Sequence, residues 1–144
     1  MKTLRIEIIK SKLTQLETAL DFINENTPDD VEEFKSSKLI KNAVYKEVEF
    51  AVELLIDICA IINSDLKLGM PEVEDNLLDN LGKNKIFNKE TISLIREMKS
   101  FRNVLVHKYG DIDDEVSFQT IKEGMKDFKI AGEEIKRVVG KFEK

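Results

Sequence analysis

Arg102, Asn103, His107 and Tyr109 lie close together in the stretch "SFRNVLVHKYG" at residues 100–110, and His107 is the single histidine of the chain. An arginine and a histidine at this spacing suit a phosphodiester. The guanidinium is a fixed positive fork that matches phosphate oxygens. The imidazole titrates near neutral pH, so it can take a proton from a hydroxyl or give one to a leaving oxygen. RNA carries its own nucleophile, the 2′-hydroxyl. Cutting it without a metal needs little beyond an acid or base and a charge stabiliser. Asn103, four residues before His107, can orient the imidazole or hold a phosphate oxygen. Zinc chemistry is not supported, because there is no second histidine, no cysteine pair and no His-Glu-x-x-His spacing. No Gly-rich phosphate loop and no Ser-His-Asp order stands out either. Neither metal nor cofactor is expected.

These side chains need a helix to hold them, and the periodicity supplies one. Apolar positions three and four apart, from Leu4 through Ile8, Ile9, Leu13, Leu16 and Leu20 to Ile23, predict a helix over residues 3 to 25. "NTPDD" breaks that pattern. A second long helix starts near Ser36 or Ser37 and runs to about Leu68, and its middle is apolar nearly all round, as in a central helix. "EVEDNLLDNLGK" reads as a short third helix capped by Gly82. A fourth spans Asn88 to Gly110, with the glycine as a left-handed cap. "DIDDE" then supplies acceptors for the start of a fifth, running from Val116 through Phe118, Ile121, Met125 and Phe128 to Ile135. No alternating β-branched run competes. The expected architecture is all-α, an up-and-down bundle of about five helices in one domain over residues 1–144.

On the fourth helix, at about 100° per residue, Arg102, Asn103, His107 and Tyr109 share one broad arc, and Phe101, Val104 and Leu105 face the other way. Tyr109 falls about 20° from Arg102 on the same stripe, two turns further on. This places Arg102 on a polar face, away from the core.

The remaining bounds are exclusions. The charged start "MKTLRIEIIKSKLTQ" is not a secretory signal. The most apolar run, "AVELLIDICAII" at 51–62, carries Glu53 and Asp57 and falls short of the roughly 20 residues a membrane span needs. No membrane association and a cytoplasmic location are expected. Cys59, the one cysteine, reads as a small buried hydrophobe. Tyr45 and the phenylalanines read as core. The two acids in that apolar run must find partners. Asp57 can pair with a Lys or Arg for structure, or orient Arg102.

The string "FRNVLVHKYG" resembles the Arg-Asn-x-x-x-His-x-Tyr signature of HEPN-domain proteins, and more closely that of the HepT-type toxins. The resemblance continues through "AVELLIDICAIINSDLKLGMPE", the short helix after it, "SFRNVLVHKYGDIDDE" and the final amphipathic helix, from about residue 36 to the end. It implies an all-α HEPN fold, a homodimer and metal-independent ribonuclease activity ending in 2′,3′-cyclic phosphates. The family's arginine and histidine fall on Arg102 and His107 as catalytic groups, and its asparagine on Asn103 as a supporting one. Its tyrosine falls on Tyr109, the residue to which a minimal nucleotidyltransferase antitoxin transfers AMP. The substrate class is RNA, with tRNA and mRNA both open.

Charge is the objection to an RNA partner, since a nucleic-acid binder is expected to be basic and this chain carries −5. The distribution is uneven, however. Residues 83–108 carry +5 against −10 elsewhere, and they contain the motif. Two other readings stand beside the ribonuclease. One is a HEPN-type module that binds RNA or protein without cutting, and the other is a structural helical dimer serving as scaffold for a nucleotidyltransferase. Val106, apolar within the polar arc, is a candidate dimer contact.

Overall fold

The computed structural model describes residues 3–143, and the backbone alone of Tyr109. Among these described residues six α-helices follow one another: α1 (Ile6–Asn26), α2 (Val31–Ser36), α3 (Lys38–Asp65), α4 (Glu74–Lys83), α5 (Lys89–His107) and α6 (Asp114–Phe142). α3 is the central element and packs against α1, α2, α4 and α5, while α6 closes the bundle against α5, α1 and α2. The four long or well-anchored helices fall where the apolar periodicity puts them. Ser37 caps α3 by accepting from the Ile40 N–H at 3.2 Å, and Asn88 caps α5 by accepting from the Thr91 N–H at 2.8 Å.

Four local expectations need correction. α2 is an additional helix, short because one buried side chain anchors it. Phe34 is fully enclosed, 5.6 Å from the Tyr45 ring and 5.3 Å from that of Phe118. Gly82 does not cap α4 but lies within it, facing Ile92 of α5, where an added Cβ would make ordinary van der Waals contact at 3.4 Å. The left-handed residue after α4 is Lys85, at φ 58°. Gly110 is not a left-handed cap either. α5 stops at His107, and Tyr109–Asp111 form a single 3-10 turn. Tyr45 is core, as expected, but Phe22 and Phe50 are partly exposed.

Two polar devices fix the joints. Between α3 and α4 the chain turns through Lys67 (φ 55°) and Gly69 (φ 122°). The buried Asn63 amide donates to the Gly69 carbonyl at 2.8 Å, and its oxygen accepts from the Asn80 amide at 3.1 Å. At the start of α6, Asp113 caps the helix and Asp114 accepts from Lys41 at 2.8 Å and from the Tyr45 hydroxyl at 2.7 Å. Burial, reinforced by that carboxylate, pushes the Tyr45 phenol well above its ordinary pKa. Cys59 is fully buried in α3, and burial pushes its thiol up to about 12.

Candidate active site

The face of α5 that meets the core is the stripe Thr91, Ile95, Met98, Arg102 and Leu105. Arg102 therefore lies on the buried stripe itself, at 7% exposure, and not on a polar face opposite the core. A helical wheel drawn for α5 alone assigns a charge to solvent. The cost of burying the guanidinium is offset here by acids on two other helices. Glu53 of α3 accepts from Nη1 at 3.0 Å, and Glu74, the first residue of α4, accepts from Nη2 at 2.6 Å and from Nη1 at 3.3 Å. The Glu74 bond above all, with Glu53 adding to it, raises the pKa of Arg102 against the opposing effect of burial.

Asn103 is exposed, and its oxygen accepts from Arg102 at 3.2 Å (Nε) and 3.0 Å (Nη2). Its carbonyl thus supports the arginine, rather than the imidazole that the spacing also allowed. His107 is the exposed last residue of α5. Lys108 leaves the helical path at φ −121°, ψ 31°, so Tyr109 does not continue the Arg102 stripe. The Tyr109 side chain lies outside the described residues. Val104 and Val106 are both partly exposed on this last turn.

Asp57 does not reach Arg102. It is exposed and pairs with Lys12 at 3.4 Å, which is the structural option. The orienting acid is its neighbour one turn earlier, Glu53. Glu74 had no sequence signal beyond its place as an acid in the first turn of a short helix. The positive segment is also not one patch. Arg96 and Lys99 are held by Asp75, and Arg96 also by Asp79, both on α4. Lys83, Lys85 and Lys89 are exposed, but they lie at the other end of α5, roughly 25 Å along the axis from His107. Lys108 is the exposed cation next to the motif.

A helical bundle with an arginine held between three helices, and a histidine free at the end of the same helix, matches a described family. The family model described as ribonuclease HepT-like matches residues 16–135, and the chain belongs to that family. Among individual relatives, the mRNA nuclease HepT of Shewanella oneidensis is 22% identical over 123 residues, spanning 85% of this chain and 92% of that one. Among solved structures, a tri-AMPylated Shewanella oneidensis HEPN toxin in complex with MNT antitoxin superposes with TM-score 0.82 at 22% identity, over 90% of this chain and 97% of that one. The cytosolic protein YutE of Bacillus subtilis gives 0.79 at 17% identity, over 95% and 92%. At these identities the structural likenesses show the fold, which is the all-α HEPN bundle expected from the sequence.

Proposed function

We propose that this chain is the ribonuclease toxin of a toxin–antitoxin pair and that Arg102 and His107 carry the cleavage. The observation behind this reading is that both residues stand on one helix inside the region matched by the HepT-like ribonuclease family. The RNA 2′-oxygen attacks the adjacent phosphorus and the bond to the 5′-oxygen breaks. His107, open to solvent, takes the 2′-hydroxyl proton or supplies one to the departing oxygen. Arg102 stabilises the charge that gathers on the phosphoryl oxygens, with Asn103 supporting the guanidinium. The products end in 2′,3′-cyclic phosphate and no metal takes part. The chain works as a cytoplasmic homodimer whose sites lie near the subunit contact, with Val106 as part of that contact. No helix among the described residues is long and apolar enough to cross a membrane.

The partner is a minimal nucleotidyltransferase antitoxin that transfers AMP to Tyr109. The phenolic oxygen attacks the α-phosphorus of ATP, pyrophosphate leaves and the phenolic proton is released. A relative described as tri-AMPylated, in complex with its MNT antitoxin, supports this. The added phosphodiester and nucleotide would sit two residues past His107 and obstruct the approach of RNA.

A second reading, a HEPN-type module that binds without cutting, draws on the number of acceptors already held by Arg102. One assay separates the two. Purified protein incubated with RNA and EDTA should yield fragments ending in cyclic phosphate, and Arg102→Ala and His107→Ala should each abolish them. Intact RNA with the native chain would favour the binding module. Mass spectrometry after incubation with the partner and ATP should show adenylylated Tyr109 together with loss of cleavage.

A further inference from the structure

An arginine side chain has five N–H donors, and in this chain all five have acceptors. Nε donates to Asn103, Nη1 to Glu53 and Glu74, and Nη2 to Glu74 and Asn103, at distances from 2.6 to 3.3 Å. A phosphate bound in the usual two-pronged way takes two of these donors. It can do so only if a present acceptor gives way. Two carboxylates already surround one guanidinium, so a phosphate arriving beside both would face a net negative charge.

The three acceptors are not equally free to leave. Asn103 adjoins Arg102, is neutral and does not repel a phosphate. Glu53 lies in the middle of the 28-residue α3, far from either helix end. Glu74 is the first residue of α4, and the residue before it, Val73, provides no side-chain cap. A carboxylate that swings off Arg102 there remains at the positive end of α4, among the first-turn N–H groups. Glu53 has no such alternative. α4 itself need not move, because Asp75 and Asp79 bind Arg96 and Asn80 binds Asn63. One side-chain rotation of Glu74 frees one N–H on each Nη atom, the other two staying with Glu53 and Asn103.

We propose that Glu74 is a displaceable gate on Arg102, occupying in the free chain the donors that an RNA phosphodiester takes when it binds, and swinging to the start of α4 as it does so. This rests on the reading of Arg102 as the phosphate-binding residue of a ribonuclease. Glu53 stays in place and keeps the guanidinium aimed. RNA affinity is thereby held below what the bare arginine would give.

The test uses a single-stranded 2′-O-methyl oligoribonucleotide, which lacks a free 2′-hydroxyl and cannot be cut by this route, with binding read by fluorescence anisotropy. Glu74→Gln should tighten binding roughly three- to tenfold. It should also steepen the log–log salt dependence by up to about 0.7, because the arginine then neutralises a phosphate with no displaced carboxylate left to draw a cation back. Glu72→Gln, two residues away, controls for the loss of a negative charge and should give a smaller gain. In the Arg102→Ala background, Glu74→Gln should give no more than Glu72→Gln. Glu74→Asp, which keeps the charge on a shorter arm, should tighten binding less than Glu74→Gln, and covers the case in which the latter folds poorly. Unchanged or weaker binding by both Glu74 variants, or a gain that survives Arg102→Ala, overturns the gate. Cleavage of the unmodified oligonucleotide is scored separately. An Arg102-dependent gain with no cleavage by the native chain would leave the gate standing and remove the ribonuclease reading, whereas cleavage without the gain does the reverse.

Discussion

Two polar clusters tie α3 to its neighbours, and their charges are matched differently. At the start of α6 one carboxylate, Asp114, is held by one cation, Lys41, and one neutral donor, Tyr45. On α5 one cation, Arg102, is held by two carboxylates and one amide. The first cluster balances and pins two helices together. The second carries one negative charge more than it needs, so an incoming anion can replace one of its members without stranding the guanidinium. A fold can use the same bonds to lock a joint or to hold a reactive group in reserve, and the charge count separates the two cases.

The largest expected effect is on cleavage. His107→Ala should lower it about 10²- to 10⁴-fold while the melting curve stays within about 0.5 kcal/mol, since the side chain is exposed. Arg102→Ala should lose cleavage to a similar degree and also cost about 1–3 kcal/mol in urea unfolding, because Glu53 and Glu74 are left facing each other. If Arg102→Ala proves as stable as His107→Ala, the arginine cluster contributes nothing to the fold and the contrast collapses.

The balanced cluster should behave in the opposite sense. Tyr45→Phe should cost about 1 kcal/mol in unfolding, by leaving Asp114 without one donor. RNA cleavage, per folded molecule, should stay near the native level. A large loss of activity would mean that the α6 joint also shapes the site.

A pH series sharpens this. Burial alone would raise the Asp114 pKa, but the bonds from Lys41 and Tyr45 overcome it and hold the carboxyl below its ordinary value. A carboxyl depressed in the folded state contributes stability above its unfolded pKa and loses it as pH falls through the folded one. The stability gap between the native chain and Asp114→Asn should therefore be widest near about pH 7 and close on acidification below about pH 4. A gap that is flat over this range would show that the carboxylate charge is not what holds α6.

The smallest expected signal comes from the apolar interior of α3, beyond both clusters. The Cys59 thiol, pushed up to about 12 by burial, should not react with a thiol reagent in native protein and should do so fully in urea. Labelling in native buffer would reveal local opening of α3.

Much of the fold could be read from spacing alone. α1, α3, α5 and α6 are long enough for periodicity to show, and Ser37 and Asn88 mark their starts by type. α2 escaped because six residues around one phenylalanine have no period. The motif was visible as a set of residues, but its depth was not. Wheel geometry treats a helix by itself, whereas the burial of Arg102 depends on acids 49 and 28 residues away in the chain. Glu53 and Asp57 both stood out by their place in an apolar run, but Asp57 is an exposed acid paired with Lys12 and only Glu53 meets Arg102. Which of them faces α5 depended on the rotation of α3, which no local pattern reports. Gly110 resembled a helix stop, yet α5 stops before it.

The amide pair Asn63–Asn80 has a consequence at a distance. α4 has ten residues and buries three leucines. Glu74 and Asn80 are six residues apart, roughly 9 Å along that axis, so a roll by one position would carry the Glu74 carboxylate about 100° away from α5. The buried Asn63 side chain works as a keyway for Asn80, permitting one azimuth of α4. A neutral bond far from the motif thereby sets where a carboxylate meets the arginine.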